Sequence, residues 1–582
     1  MSVSNAIPAW LAWQPWLVRA LALGCILENT GSSSARAGYR PKIGSVTLSV
    51  LTAVYILAMA NQTFWGRAFG YLAATPMAFI AFVLGIFAIT IAALTTFSVK
   101  YLTKPALIFF VMVAVVSSWF TDQFGVIIDK EMIRNAAVTT RAESAHLITF
   151  SFVLHILLFG VLPSLLIAWV KIVHRPFLKK FAWNMAVILP CLAIFVAAGL
   201  GFSQTYAAVG RLHKDIMLTL NPFIPIGNAA RFVFATENDR TVVRRPLGTD
   251  AHQRTASANG KPRVTIIVAG ETGRAQNFSL GGYPRETNPE MKARGVIYYK
   301  NATSCGTSTA VSLPCMYSVY TRQDYTHRKG LETDNLTDIL GHAKVDVEWW
   351  DNDTGSYGVA NRIPYRFLPD AADPRFCTDG ECLDTVLLDK LGDWLSNVKG
   401  DSVLVLHQLG SHGPAYYRRY PDDFRRFTPD CRTPEFGACK PEEIVNAYDN
   451  TILFTDHVVA KVIDNLKKHQ DTISASMLYV SDHGESLGEN GLYLHGAPYI
   501  IAPAEQTRAP IIVWLSPDFS AASGIDTACL AASASNPVSH DNFFHSVLGL
   551  MDVETSVYDA KLDLFSGCRK VPDKAVQTTS KG

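Results

Sequence analysis

The segment from Asn301 to Cys315, which reads NATSCGTSTAVSLPC, carries the residues best suited to covalent chemistry. Between its two cysteines lie four hydroxyl side chains, those of Thr307, Ser308, Thr309 and Ser312. A disulfide between the cysteines would hold a hydroxyl rigidly, as a weak nucleophile requires. A hydroxyl attacks well only when a base or a metal stabilises its alkoxide. The pattern therefore predicts a nucleophilic loop; the alternative is a helix N-cap cluster beside a structural disulfide.

Candidate metal ligands follow short apolar runs in other parts of the chain. Glu271 directly follows VTIIVAG, Asp482 and His483 follow SMLYVS, and His407 and His412 end or follow SVLVLHQ. Acid and imidazole ligands together with a hydroxyl suit Zn²⁺. A single histidine at a strand end is usually structural, but several polar side chains at one edge favour a site. These residues must therefore be positioned by one sheet.

The apolar runs predict that sheet. Continuous apolar stretches are typical of buried parallel strands, and helical patterns lie between them. The predicted strands are 264–270, 345–350, 402–408, 476–481 and 510–516, and the helical patterns lie around Asp334–Leu340, Leu383–Asn397 and Glu442–Lys467. Alternating strands and helices predict an α/β doubly wound sheet, in which ligands bind at the carboxyl ends of the strands. The candidate ligands should therefore meet at one rim.

Composition divides the chain into an apolar and a water-soluble part. The 582 residues are too many for one core, and the net charge of +2 gives no basic excess that would indicate nucleic acid binding. Residues 43–203 contain five runs long and apolar enough to span a bilayer. These runs are 43–63, 72–98, 105–124, 148–170 and 181–203. From about residue 238 onward the sequence is typical of a soluble protein.

Basic residues predict the orientation of the spans. Lysine and arginine side chains precede the first run, separate the second from the third and separate the fourth from the fifth. The positive-inside rule makes these places cytoplasmic, so the part after residue 203 lies outside. We predict a cytoplasmic N-terminal extension (1–41), a five-span membrane domain (42–204), an interfacial bridging helix with a linker (205–262) and a periplasmic catalytic domain (263–582).

Cysteine usage points to the same outer compartment. Eight cysteines lie in the soluble part, and six of them form the close pairs Cys305/Cys315, Cys377/Cys382 and Cys431/Cys439. Closely spaced pairs predict disulfides and an oxidising compartment. Zinc binding is the alternative, but the spacings are not CxxC and no histidines are interleaved with them. Only parity pairs Cys529 with Cys568.

The outer loop between the third and fourth runs contains a polar repeat. Asn135, Thr139 and Glu143 recur every four residues, so on one helix they would share a face. Such a stripe at the membrane surface could bind a lipid head group. The alternative is an ordinary solvated helix face.

Longer motifs carry a resemblance to a known family. The motifs are GETGRAQNFSLGGYPRETNP (270–289), TSCGTSTAVSLPCM (303–316), LHQLGSHGPAYYRRYP (406–421), AYDNTILFTD (447–456) and SDHGESLGENGLYLHGAPY (481–499). In order and over roughly residues 40–565, the chain resembles the lipid A phosphoethanolamine transferases. The resemblance implies a bacterial inner-membrane enzyme with five spans and a periplasmic catalytic domain of alkaline-phosphatase/sulfatase type.

The resemblance also assigns roles to residues. It implies that Thr309 is the nucleophile and that Glu271, Thr309, Asp482 and His483 hold Zn²⁺. His412 and His495 would bind the transferred phosphoryl group, a second zinc or the leaving oxygen. The Asn135, Thr139 and Glu143 repeat matches the head-group contacts of the family, which favours the binding role for this loop.

One segment departs from the family pattern. Where the family commonly has DNNSxxKG, this chain has DNDTGSYG. Thr354 keeps a hydroxyl for substrate binding, but Tyr357 replaces the lysine and Asp353 replaces an asparagine. Contacts from this loop to ethanolamine or phosphate are therefore altered in this chain.

The predicted function is a zinc-dependent transfer of phosphoethanolamine from phosphatidylethanolamine to a phosphate of lipid A, through a phosphothreonine intermediate. Capping the acceptor phosphate would lower surface negative charge and give resistance to cationic peptides such as polymyxin. We expect a monomer that contacts membrane lipids. The alternative acceptors are a core sugar of lipopolysaccharide, a periplasmic glucan or a protein. A sulfatase is disfavoured because CGTST stands where sulfatases have CxPxR, and a glycerol-phosphate polymerase or an inactive sensor is disfavoured by the intact motifs.

Overall fold

The computed structural model describes residues 39–173, 175–254 and 259–570. The first 38 residues of the predicted cytoplasmic extension lie outside this range. We call residues 39–239 the helical half and residues 259–570 the soluble half. The two halves are joined by a polar segment whose short strand His252–Gln253 pairs with Val553–Glu554 of the soluble half.

The helical half contains eleven helices within the described residues. They are α1 (Ser45–Met59), α2 (Gln62–Leu72), α3 (Pro76–Thr96), α4 (Thr103–Phe124), α5 (Lys130–Val138), α6 (Arg141–Leu147), α7 (Phe150–Trp169), α8 (Phe177–Gly201), α9 (Ser203–Leu212), α10 (Asp215–Leu218) and α11 (Phe223–Asp239). Helix α7 contains a π-helical turn over Ile156–Val161.

Four of these helices, α3, α4, α7 and α8, are long and apolar enough to cross a membrane. The first predicted run, 43–63, does not form one straight span. Helices α1 and α2 meet at an angle of 72°, so they make a fifth span only if the bent pair is counted as one. At the bend, Asn61 Nδ2 donates to the carbonyl oxygens of Ile56 and Asn221, which ties the bend to the residues just before α11.

The polar repeat of the outer loop does not lie on one helix, contrary to the sequence-based prediction. Helix α5 ends at Val138, and Thr139 already has an extended ψ of 133°. Thr140 then begins α6, because its side chain accepts a hydrogen bond from the backbone N–H of Glu143. Asn135, Thr139 and Glu143 are nevertheless brought to a single cavity by this break.

The soluble half is built on a seven-stranded sheet. Its strands are β1 (Arg263–Gly270), β2 (Ile297–Tyr299), β3 (Asp346–Asp351), β4 (Tyr365–Phe367), β5 (Ser402–His407), β6 (Ser474–Ser481) and β7 (Ile511–Leu515), in the order β2-β7-β6-β1-β5-β3-β4. The pairs β6–β1, β1–β5, β5–β3 and β3–β4 are parallel. The five predicted strands are all present, but β7 runs antiparallel to both of its neighbours.

Helices cover both faces of the sheet. They are α12 (Pro289–Ala293), α13 (Thr309–Met316), α14 (His327–Glu332), α15 (Leu336–His342), α16 (Leu391–Ser396), α17 (Pro441–Lys468), α18 (Ala504–Thr507), α19 (Pro517–Ser523), α20 (Thr527–Ser533) and α21 (Asp541–Leu550). Strand β1 alternates between two cores: Ile267 packs with α13, α15 and α21, whereas Ile266 packs with α16 and α17. This is the arrangement of a doubly wound sheet.

Disulfides join the three predicted close pairs, and the fourth bond joins Cys529 to Cys568 as parity suggested. The helical and soluble halves also share an apolar cluster. Phe124 at the end of α4 lies against Phe436 with ring centroids 5.9 Å apart. The end of a membrane-length helix therefore packs directly on the domain that carries the candidate ligands.

Candidate active site

Strand order brings the predicted ligands together. Strands β1 and β6 are adjacent and parallel, so Glu271 after β1 and Asp482 with His483 after β6 leave the sheet at the same edge. All three residues are at most 1% exposed, and their donor atoms lie within 4.8 Å of one another. The loop after β5 closes this edge from the other side. Gly410 has φ +54°, and a Cβ there would lie 2.5 Å from the carbonyl oxygen of Glu271.

Thr309 occupies the first turn of α13 rather than a free loop. Ser308 is the N-cap residue, and the Cys305–Cys315 disulfide ties the segment before the helix to the helix itself. The Thr309 hydroxyl donates to Glu271 Oε2 at 3.0 Å and lies 3.4 Å from His483 Nε2. A helix N-terminus carries partial positive charge, so it favours negative charge that develops on this oxygen. Ser308 makes no side-chain capping hydrogen bond, so this segment is held by the disulfide and by the contacts of its other hydroxyl groups.

The donor atoms of this group fit a divalent cation. Asp482 Oδ1 accepts from the backbone N–H groups of Thr272 and His483, whereas its buried Oδ2 has no hydrogen-bond partner. His483 Nδ1 donates to the carbonyl oxygen of Gly484, which leaves Nε2 to face Glu271 and Asp482 at 3.6 and 3.2 Å. A buried carboxylate oxygen without a partner, next to an imidazole nitrogen that faces two carboxylates and a hydroxyl, is a set of ligand atoms that suits a cation.

The pKa values of Glu271 and Asp482 also favour a bound cation. Burial and the carboxylates of Asp482 and Asp353 raise the pKa of Glu271 well above its ordinary value. Burial also opposes ionisation of Asp482, but the His483 imidazole and the Thr272 N–H lower the pKa of Asp482 below its usual value. Clustered carboxylates stay ionised together only when positive charge lies between them.

His412 and His495 lie beside this group. The His495 ring centroid is 4.5 Å from that of His483 and 5.4 Å from that of His412. His495 Nδ1 is 2.8 Å from Glu485 Oε2, and His412 Nε2 is 3.2 Å from Glu143 Oε1. Burial lowers the pKa of His495, but the Glu485 carboxylate outweighs burial and the pKa rises above its usual value. Burial and the neighbouring His495 lower the pKa of His412 well below its ordinary value.

A cavity of about 230 Å³ opens from these histidines toward the helical half. Its polar end is formed by His412, His495 and the three residues of the outer-loop repeat. Its apolar end is formed by side chains of the helical half together with Leu494. The apolar residues are Phe120, Phe124, Val126, Ile128, Met132, Ile133, Ala136, Leu147 and Leu494. The cavity thus runs from an apolar surface at the end of α4 to the candidate ligands.

Thr354 does not line this cavity. It lines a second cavity of about 680 Å³ together with Asp353, Glu381 and Glu143. Thr354 Oγ1 donates to Asp353 Oδ2 at 3.0 Å and contacts the hydroxyl of Tyr357. The predicted substrate-binding residues therefore divide between two cavities that meet at Glu143. Burial and the nearby Asp353 raise the pKa of Glu143 to about 8.

Two carboxylates at this site were missed by the sequence analysis. Glu485 holds His495, and Asp351 lies 3.1 Å from His407 Nδ1. Both positions carried a signal: Glu485 belongs to the SDHGE motif, and Asp351 ends an apolar run as Glu271 does. Glu271 was selected because it follows a predicted buried strand, and the same criterion would have selected Asp351.

Comparisons with known proteins agree with this architecture. The Sulfatase family matches residues 263–553, and the family described as Phosphoethanolamine transferase EptA/EptB matches residues 86–236. Phosphoethanolamine transferase EptA of Salmonella typhimurium is 38% identical over 92% of this chain and 99% of its own length. Phosphatidylethanolamine transferase Mcr-1 of Escherichia coli is 35% identical over 88% of this chain and 96% of its own length.

A solved structure matches both halves at once. The integral membrane protein lipooligosaccharide phosphoethanolamine transferase A of Neisseria meningitidis superposes with a TM-score of 0.88 and 36% identity, covering 91% of this chain and 100% of that one. The chain therefore belongs to the phosphoethanolamine transferase family of EptA and Mcr-1, and it is an inner-membrane enzyme with its catalytic domain in the periplasm.

Proposed function

We propose that the enzyme takes phosphoethanolamine from phosphatidylethanolamine onto Thr309 and passes it to a phosphate of lipid A. The observation that carries this proposal is the position of the Thr309 hydroxyl. It lies at a helix N-terminus, donates to Glu271 and is buried beside His483. Glu271, Asp482 and His483 would hold Zn²⁺ with Thr309 as the fourth ligand. When bound, the ion would lower the pKa of the Thr309 hydroxyl and stabilise negative charge on the phosphoryl oxygens.

The first step transfers the group to the enzyme. Thr309 Oγ1 forms a bond to phosphorus while the bond from phosphorus to the diacylglycerol oxygen breaks. His495 is placed to protonate the departing oxygen, because Glu485 holds Nδ1 and leaves Nε2 for the cavity. In the second step an oxygen of the acceptor phosphate attacks the phosphothreonine, and the proton of that phosphate restores the Thr309 hydroxyl. Each step exchanges one P–O bond for another. The proton that Thr309 loses in the first step is matched by the one that diacylglycerol gains, so no further reactant is needed.

The cavity supports phosphatidylethanolamine as the donor. Its apolar end at α4 suits the start of acyl chains, and its polar end suits a phosphate with an ammonium group. Glu143 Oε2 is buried without a hydrogen-bond partner, and an ammonium group would pair with it. The relative Mcr-1 carries phosphatidylethanolamine in its name. Because both halves of one chain supply the residues of the cavity, we propose that the enzyme acts as a monomer.

The test of the covalent step omits the acceptor. With phosphatidylethanolamine alone, the enzyme should release diacylglycerol and retain phosphoethanolamine on the peptide from Cys305 to Cys315, seen by tandem mass spectrometry after acid quench. Thr309→Ala should abolish both products, and Thr309→Ser should retain partial activity because it keeps the hydroxyl. Thr307→Ala is a matched control, since the Thr307 hydroxyl donates only to the Ala497 carbonyl oxygen. Diacylglycerol release by Thr309→Ala at the parental rate would refute the mechanism.

The acceptor needs a separate experiment. The solved relative is named for lipooligosaccharide, whose lipid A phosphates are the chemistry that the second step requires. Mass spectrometry of lipid A from cells with and without the gene should show added phosphoethanolamine only with it, together with raised polymyxin resistance. If lipid A were unmodified and a core sugar, a glucan or a protein carried the phosphoethanolamine instead, that molecule would be the acceptor and lipid A would be excluded.

A further inference from the structure

A second group of buried donors lies on the other side of Glu271. Strand β5 ends at His407, strand β3 ends at Asp351, and Asp353 lies two residues further on. Glu271, Asp353 and His407 are 1%, 4% and 0% exposed, and one donor atom of each lies within 4.8 Å of the others. Glu271 is therefore common to two donor groups, one toward β6 and one toward β5.

His407 is oriented as metal-binding histidines are. Its Nδ1 donates to Asp351 Oδ2 at 3.1 Å, and the same oxygen accepts from Trp349 Nε1 at 2.8 Å. Asp351 Oδ1 accepts from the backbone N–H of Asp353 at 2.9 Å. With both oxygens of Asp351 used, the ring is fixed and Nε2 faces Asp353. A carboxylate behind the imidazole fixes the tautomer and strengthens the other nitrogen as a ligand.

Two buried atoms of this group lack hydrogen-bond partners, although Asp353 Oδ2 accepts from Thr354. His407 Nε2 and Asp353 Oδ1 are buried side-chain atoms with no hydrogen-bond partner. His407 Nε2 lies 3.7 Å from Asp353 Oδ2, which is too long for a hydrogen bond. Unpaired polar atoms are costly inside a protein, and two of them on residues of one donor group indicate something between them.

Buried carboxylates surround this group. Glu271, Asp351, Asp353 and Asp482 are all at most 4% exposed, and their negative charge favours a cation among them.

We propose that Glu271, Asp353 and His407 hold a second divalent cation, bridged through the Glu271 carboxylate to the one beside Asp482 and His483. Two carboxylate oxygens and one imidazole nitrogen suit Zn²⁺ or Mn²⁺. Ions that share a carboxylate in this way lie about 3.5–4 Å apart. The site rests on the proposed function only through Glu271.

The experiment counts ions on the full-length enzyme in detergent. After loading with Zn²⁺ and removal of the excess, elemental analysis should find two ions per wild-type chain and one per Asp353→Asn chain. Asparagine has nearly the same shape as aspartate, so the variant should fold. Asp370→Asn is the matched control, because Asp370 is an exposed carboxylate that lines the second cavity together with Asp353. The Asp370→Asn chain should keep two ions.

A second measurement locates the ions relative to each other. The wild-type enzyme loaded with Mn²⁺ should give the electron paramagnetic resonance signal of an exchange-coupled pair, and Asp353→Asn should give that of a lone ion. If Asp353→Asn loses both ions, the wild-type spectrum decides: a coupled pair supports the site and a lone ion overturns it.

The remaining outcomes each contradict the proposal. One ion on both wild-type and Asp353→Asn would mean that a protonated His407 between Asp351 and Asp353 fills the role instead. Two ions on both would place the second ion elsewhere, for example at His412 and His495. No ion on the wild-type chain would refute the metal in the proposed function as well, so the two failures can be told apart.

Discussion

The residues around Thr309 fall into two sets with different partners. Asp482 presents an unpaired oxygen and His483 presents Nε2 beside Glu271, whereas His495 is held by Glu485 and faces the cavity. We expect both His483→Ala and Asp482→Ala to remove most of the zinc, because each variant lacks a side chain that binds the ion directly. His495→Ala should keep the zinc and lose turnover. Elemental analysis and initial rates on the same preparations measure both effects.

The unfolding temperature of each variant is the control for correct folding. With zinc removed by a chelator, each variant should unfold within a few degrees of the wild type, since the changes are confined to the site and no protein then has the stabilisation from bound zinc. Loss of zinc from His495→Ala to the extent seen with Asp482→Ala would show that His495 is a ligand, and the division into two sets would be wrong.

Tyr357 is the second residue-scale test. Its hydroxyl contacts Thr354, and its side chain lies near Asp353. Tyr357→Lys should lower KM for phosphatidylethanolamine about two- to fivefold, as expected from an ion pair worth roughly 0.5–1 kcal/mol. Tyr357→Phe removes only the hydroxyl and should not lower KM. An unchanged or higher KM in the lysine variant would mean that this loop does not contact the donor.

At the scale of elements, the sequence predicted the strands well and their directions less well. The five runs were recognisable because strands buried on both faces are continuously apolar, as β1 and β6 are. Nothing in such a run encodes direction, so the antiparallel course of β7 could not be predicted. Direction depends on how the chain returns after β6, and that is a matter of long-range packing.

The break in the outer loop did carry a local signal. Thr140 is followed three residues later by Glu143, the pattern that often begins a helix, and Thr140 caps α6 in the structure. The periodicity of the polar repeat predicted one helix because it ignored this cap. The three residues of the repeat, Asn135, Thr139 and Glu143, still converge on one cavity. This convergence depends on the angle between α5 and α6, which the spacing of the residues alone does not predict.

Two disulfides should differ in what their loss affects. Cys529–Cys568 closes 39 residues between α20 and the C-terminal turn, so its removal should cost up to about 4 kcal/mol of stability with little change in kcat. Cys305–Cys315 spans only 10 residues, and the loop-entropy estimate is about 3 kcal/mol, but it fixes the start of α13. Its removal should lower kcat.

Paired Cys→Ala variants, denaturant unfolding and initial rates separate the two effects. Because Thr309 is the first residue of α13, a small shift of the helix start moves the attacking oxygen. If loss of Cys529–Cys568 lowered kcat as much as loss of Cys305–Cys315, the Cys305–Cys315 bond would have no special role in positioning Thr309.

At the scale of the whole molecule, the position of basic residues predicts the topology. Lys104 and Arg40 lie at the same end of the helical half, where both donate to the carbonyl oxygen of Ala168 near the end of α7. A reporter that is active only in the periplasm should be active when fused after residue 582. The same reporter fused at Pro176 should be silent. The reverse pattern would contradict both the orientation and the oxidising environment of the disulfides.

The halves also divide the work of the site between them. Glu271, Thr309, Asp482 and His483 all belong to the soluble half, whereas the apolar end of the donor cavity comes mostly from the helical half. A chain that begins at Arg244 keeps the ion pair of Arg244 with Asp334 and the strand at His252–Gln253, so it should fold. It should bind zinc as the full chain does.

Substrate use should then separate the two forms. With nitrophenyl phosphate, the truncated and full chains should show similar kcat/KM, because this donor has neither acyl chains nor an ammonium group to contact the helical half. With phosphatidylethanolamine in mixed micelles, the truncated chain should be slower by roughly 30- to 150-fold, the loss expected when about 2–3 kcal/mol of apolar contact is removed. Full-length Phe120→Ala should lie between the two, since it shortens the apolar end of the cavity alone. Equal use of phosphatidylethanolamine by both forms would show that the acyl chains never enter this cavity.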